Sequence, residues 1–148
     1  MITIRKIQEK DREIYLKMAE KFYSTDAVAK KVAGSHFELA FDEVLKSDTY
    51  ASAYIFEYDA KVAGYVLLAK TYSQEAGGLV LWVEEIFVEE SYRGKGIAKA
   101  FFRFLLDTKG DEIKRLRLEV EAENTDAVRL YKSFGFEFLE YDQMIVDF

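Results

Sequence analysis

Between Leu79 and Leu106 the chain changes its period within a few residues. The run LVLWVEEIFV, Leu79 to Val88, is apolar on both faces apart from Glu84 and Glu85, which predicts a strand in the middle of a sheet. The turn EESYRGKG follows. Ile97, Ala98, Phe101, Phe102, Leu105 and Leu106 then recur at helical spacing, ending at Gly110. A strand buried on both faces requires neighbours on both edges, and the flanking sequence offers them.

Ile2 to Ile7 alternate apolar and polar residues and predict an opening strand, followed by a helix through Ile14, Met18 and Phe22. A second helix is expected from Ser35 to Lys46, with Ser35 as its cap and Phe37, Phe41, Val44 and Leu45 on the buried side. SAYIFEYDAKVAGYVLLAK reads as a hairpin about Asp59-Ala60-Lys61, and EAGG turns the chain into the Leu79 strand, so three consecutive antiparallel strands are predicted. RLRLEVEAE puts Leu116, Leu118 and Val120 on one face and Arg117, Glu119 and Glu121 on the other. Asn124 to Phe134 reads as a short helix, and FEFLEYDQMIVDF closes the chain in β. With no repeat, proline linker or low-complexity run, residues 1–148 are expected to form one α+β domain. Its sheet is mixed and mostly antiparallel, flanked by helices, in the order β-α-α-β-β-β-α-β-α-β.

Composition narrows the chemistry. Half the residues are hydrophobic and 16% aromatic, enough for a core built on large side chains. The absence of cysteine removes disulfides, thiolate catalysis and thiolate metal sites. The lone His36 leaves no multi-histidine metal site, so no metal is expected. A net charge of -6 opposes general nucleic-acid binding and suits cationic small partners. The charged N-terminus does not read as a signal peptide, and no apolar run reaches the ~18 residues of a membrane span, so a cytoplasmic location is the expectation.

The turn Arg93-Gly94-Lys95-Gly96-Ile97-Ala98 is suited to an anion. Its glycines let the backbone turn its N–H groups outward, and the following helix adds unpaired N–H groups and a positive dipole end. It is not a Walker loop, because no Ser or Thr follows Gly-Lys. It is not a dinucleotide fingerprint either, because Lys99 stands where the third glycine belongs, and the preceding hairpins oppose a βαβ unit. Downstream, Asn124, Ala127 and Tyr131 share one helix face: a capping amide, a small residue and a phenol one turn deeper. Either stretch alone reads as ordinary structure, whereas the two in this order, separated by one strand, point to a site.

In these two stretches the sequence resembles the GNAT superfamily of acetyl-CoA-dependent N-acetyltransferases. Arg93, Gly96 and Ala98 match the pattern Arg/Gln-x-x-Gly-x-Gly/Ala. Asn124, Ala127, Leu130, Tyr131, Gly135 and Phe136 match Asn-x-x-Ala-x-x-Leu-Tyr-x-x-x-Gly-Phe. The resemblance implies acetyl-CoA as cosubstrate, with the pantetheine arm against backbone at Ile86, Phe87 and Val88 in a gap between the central strand and the Leu116 strand. The pyrophosphate would rest on Arg93, Gly94, Lys95, Gly96, Ile97, Ala98 and Lys99, with Asn124, Ala127 and Tyr131 completing the cofactor site. It also favours a homodimer. The adjacent Glu84 and Glu85 are most similar to the acidic pair of the diamine and thialysine acetyltransferases, which implies a small cationic amine as the second substrate.

Acetyl transfer to an amine needs a polarised thioester, a deprotonated amine and a proton for the departing thiolate. The candidates are the Val88 amide, Glu84 as base and Tyr131 as acid, since a phenol of ordinary pKa ~10 is protonated at neutral pH. Neighbouring strand residues face opposite ways, so Glu84 is expected to line the reaction gap unless a bulge turns both glutamates inward. Glu85, Glu119 and Glu121 are candidates for holding the distal cationic end, and Ser24 to Tyr50 for closing the site. The competing expectations are a CoA-binding module without turnover and a protein or peptide N-acetyltransferase.

Overall fold

A computed structural model describes residues 1–25 and 31–148. Five strands form one sheet in the order β1-β2-β3-β4-β5, comprising Ile2–Lys6, Ala51–Tyr58, Lys61–Ser73, Gly78–Val88 and Ile113–Leu118. The first three pairings are antiparallel and the last, β4 with β5, is parallel. Helices α1 (Arg12–Tyr23) and α2 (Gly34–Lys46) cover one face. Helices α3 (Ile97–Thr108) and α4 (Thr125–Ser133) lie on the other, α3 buried against the sheet and α4 packed through Tyr131. Among the described residues no helix is long and apolar enough to cross a membrane.

The two cores follow from strand alternation. Phe56, Val66, Leu68, Leu81 and Val83 meet Ile97, Phe101, Phe102 and Leu105 of α3. Tyr65, Ile55 and Phe87 meet Tyr15, Met18, Phe37 and Phe41 of α1 and α2. Asp11 anchors the start of α1: its carboxylate accepts both terminal nitrogens of Arg5, each at 2.8 Å, and the Gln8 amide. Arg5 also donates to Glu57 across the β1–β2 pair.

The α+β architecture and the three consecutive antiparallel strands are as expected, with three differences. Helix α2 begins at Gly34 with Ala33 as its N-cap, and no side chain caps it, so Ser35 falls inside the first turn. The unit β4–α3–β5 is a parallel crossover, although the hairpins before it had argued against one; an antiparallel sheet accepts one parallel edge strand without disturbing the rest. The expected closing strand is absent. Residues 137–148 pair with no strand and are exposed, although β5 is the last strand of the sheet and its outer edge has no partner strand among the described residues. Side-chain bonds such as Tyr141 to Glu75 at 3.2 Å and Gln143 to Glu119 at 3.2 Å tie them to the body of the fold.

The β2–β3 hairpin turns through Asp59 and Ala60, both left-handed, with φ of 48° and 63°. This is the two-residue turn whose twist suits a hairpin, but alanine is strained there. Ala60→Gly is therefore expected to raise stability by about 1 kcal/mol in denaturant unfolding.

Candidate active site

Strands β4 and β5 run together from Leu79–Ile113 to Val83–Leu118, and there the pairing ends, while β4 continues to Val88. The gap opens where a β-bulge falls. Leu67 of β3 pairs with Glu85 and Leu68 with Val83, which leaves Glu84 as the extra, unpaired residue. The bulge shifts the phase of the strand. Leu81 and Val83 point to the α3 side, whereas Glu85 and Phe87 point to the α1/α2 side, and Ile86 and Val88 pack towards α3.

The two glutamates consequently have different surroundings. Glu84 is exposed; partial desolvation, then the negative charges of Glu119 and Glu85, push its carboxyl above the ordinary range. Glu85 is only 7% exposed, and both its oxygens accept tyrosine hydroxyls, from Tyr23 at 2.5 Å and Tyr65 at 2.7 Å. Burial raises the Glu85 carboxyl while those two bonds oppose the rise. Burial, together with the Glu85 charge, drives both phenols far above their usual pKa. Tyr23 also stacks on Phe37 of α2 at 5.2 Å, so Glu85 ties the end of α1, and through it α2, to the strand beside the bulge. Neither tyrosine was singled out by the sequence, because both partners lie far along the chain.

The turn after β4 fits an anion. Gly94 and Gly96 have φ of +74° and +81°, and a Cβ built on either meets nothing within 4 Å. The first α3 bond runs from the Ala100 amide to the Gly96 carbonyl, so among the described residues the amides from Gly94 to Lys99 have no backbone acceptor. These outward N–H groups at a helix N-terminus suit a pyrophosphate. Arg93 donates through Nε to the Val88 carbonyl at 3.1 Å, bracing the turn against the strand end. The Lys95 ammonium rests over the rings of Tyr58 and Tyr92, at 4.9 and 5.2 Å, so this residue serves the turn through its amide.

On the far side of the gap, the Asn124 side chain accepts the Ala127 amide at 3.3 Å and starts α4. Tyr131, two turns on, packs edge-on to Phe102 of α3 at 5.5 Å and against Phe136 at 6.0 Å. Burial raises its phenol pKa, and among the described residues its hydroxyl has no hydrogen-bond partner. A groove of about 730 Å³ runs along β5 and α4 and is lined by Arg117, Glu119, Glu121 and Tyr131. Of Ser24 to Tyr50, residues 26–30 lie outside the described residues; α2 supplies Phe37 beside Tyr23.

Known proteins are similar to this chain in sequence over part of its length and in fold over nearly all of it. In Bacillus subtilis strain 168 a spermine/spermidine N(1)-acetyltransferase is 29% identical over 85 residues, 55% of this chain and 56% of that protein, so the chain matches about half the length of this relative. A possible acetyltransferase from Clostridium difficile 630 superposes with a TM-score of 0.81 at 22% identity, covering 100% of this chain and 98% of that one. The structure of AAC(6')-Iy with the bisubstrate analogue CoA-S-monomethyl-acetylneamine superposes with a TM-score of 0.80 at 18% identity, covering 99% and 98%. Residues 12–136 match the model of the acetyltransferase (GNAT) family, and with the amide-lined turn, the strand gap and the capped α4 in place, the chain belongs to that family.

Proposed function

We propose that this chain is an acetyl-CoA-dependent N-acetyltransferase acting directly on the primary amine of a small cationic molecule, polyamine-like or thialysine-like. The observation that carries this is the opening of the sheet at the Glu84 bulge, with an amide-lined turn suited to an anion on one side and, on the other, a buried phenol that has no hydrogen-bond partner among the described residues. Bound acetyl-CoA supplies the thioester. The amides from Gly94 to Lys99 hold its pyrophosphate, and the edge of β4 from Ile86 to Val88 faces its pantetheine arm. The Val88 amide polarises the thioester carbonyl. Glu84 takes the proton from the attacking amine, directly or through water, and Tyr131 donates one to the departing sulfur.

The acidic surroundings of Glu84 suit both attraction and proton transfer. A carboxylate beside an ammonium draws the amine in but raises its pKa, so the base beside the nitrogen must itself be a willing proton acceptor, as a raised carboxyl is. Glu119, whose charge bears on Glu84, adds to the attraction for the amine, Glu121 adds negative charge along the same groove, and Glu85 acts through the Tyr23 clamp.

The test is an amine panel of polyamines, thialysine, aminoglycosides, amino acids and peptides, run with the wild type and Glu84→Gln. Only ionised Glu84 accepts a proton, so activity is lost as pH falls through its raised pKa, and the acid limb should lie higher than for an ordinary glutamate. Rates should fall with ionic strength. Glu84→Gln is expected to lose roughly a hundredfold in kcat with little change in acetyl-CoA affinity. Wild-type turnover in that variant, or acetylation confined to neutral and anionic amines, contradicts the substrate reading.

A further inference from the structure

The β5 face turned away from α3 carries Arg115, Arg117 and, just beyond the strand, Glu119, while Leu116 and Leu118 pack on the α3 side. The two arginines are held differently. Arg115 pairs with Glu75 at 2.9 Å, and that carboxylate also accepts the Tyr141 hydroxyl at 3.2 Å. Arg117 instead lies over the Trp82 ring, its guanidinium carbon 4.3 Å from the centroid. Among the described residues no carboxylate comes within ion-pair distance of it. Glu75 acts on it only at longer range, and Oε1 of Glu119 accepts the Gln143 side-chain amide at 3.2 Å.

A half-buried guanidinium on an aromatic plate, with no carboxylate in ion-pair distance among the described residues, presents a fixed fork of donors that matches a carboxylate. Its position relative to the reacting end follows from the strand register. Trp82 pairs with Arg117, Val83 with Leu118, and Glu84 follows in the bulge, which puts Arg117 two residues, or roughly 7 Å, back along the sheet from the base. Arg117, Glu119 and Tyr131 line the same groove.

We infer that the amine substrate carries a carboxylate separated from its reacting nitrogen by several methylene groups, and that Arg117 on its Trp82 plate binds this carboxylate as a specificity-determining residue. The inference rests on the acetyl-transfer reading and narrows it. Glu119, which lines the groove, and Glu84, whose carboxylate feels its charge, draw the ammonium to one end, while Arg117 repels a molecule that is cationic at both ends and attracts one that is anionic at the far end. An amino acid reacting through its α-amine is too short to reach both groups. A lysine-like molecule reacting through its side-chain amine reaches both.

Lysine and cadaverine differ only in the carboxylate, so the ratio of their kcat/KM values isolates the Arg117 contact. The wild type is expected to favour lysine, Arg117→Gln to lower the ratio by roughly ten- to a hundredfold, mostly through the KM for lysine, and Arg117→Lys to restore part of it. Damage to the fold lowers both rates and leaves the ratio in place. An unchanged ratio in Arg117→Gln, or a wild type that prefers cadaverine, overturns the inference while acetyl transfer stands. If no amine of any kind is acetylated, the acetyl-transfer reading itself fails and takes this one with it.

Discussion

Gly96→Glu is expected to abolish acetyl-CoA binding in calorimetry, a loss of at least roughly a hundredfold, while the protein stays folded. Gly96 holds a φ of +81° with open space where a side chain would go, so the glutamate enters the cradle without a clash. Its carboxylate then occupies the position the pyrophosphate needs, at the N-terminus of α3, where a bound anion is otherwise favoured by free amides and the helix dipole. Losing several charge-assisted bonds at once accounts for the size of the effect. The left-handed backbone costs a non-glycine residue about 1–2 kcal/mol, which a lower melting temperature will register. Gly96→Ala carries the same strain without the charge and should retain most of the binding. Equal affinity in Gly96→Glu and the wild type removes the turn from the cofactor site.

Tyr131→Phe should leave cofactor affinity nearly intact and lower kcat by roughly ten- to a thousandfold, the range expected when a positioned acid is replaced by water. The ring contacts with Phe102 and Phe136 survive the substitution, so packing is kept and only the hydroxyl is lost. Because burial pushes the Tyr131 pKa above its ordinary value, the phenol stays protonated through neutral pH, and its contribution declines only on the alkaline side of that raised pKa. A variant with full kcat would make Tyr131 a packing residue.

The parts of the site legible in the sequence are those that chemistry concentrates locally. Arg93 to Lys99 are consecutive, and Asn124, Ala127 and Tyr131 are linked by helical spacing, so their geometry follows from the backbone of one turn and one helix. What escaped depends on residues distant in sequence. The bulge at Glu84 is a property of the β3–β4 pairing, and without it the burial of Glu85 under Tyr23 and Tyr65 could not be read. Arg117 looked like a solvent-facing residue of an alternating strand until the parallel register brought Trp82 beside it. The closing segment reads as a strand but does not dock on the open edge of β5, and Glu137, Glu140 and Asp142, charged residues that strands disfavour, stay exposed with it.

The most direct measurement of the central claim is the release of free thiol when the protein is mixed with acetyl-CoA and members of the amine panel. The chain contains no cysteine, so every thiol detected comes from CoA. The expected result is release that requires an amine, yields a monoacetylated product by mass and is suppressed in Tyr131→Phe. Tight CoA binding with no amine-dependent release across the panel would contradict it and identify a binding module in its place.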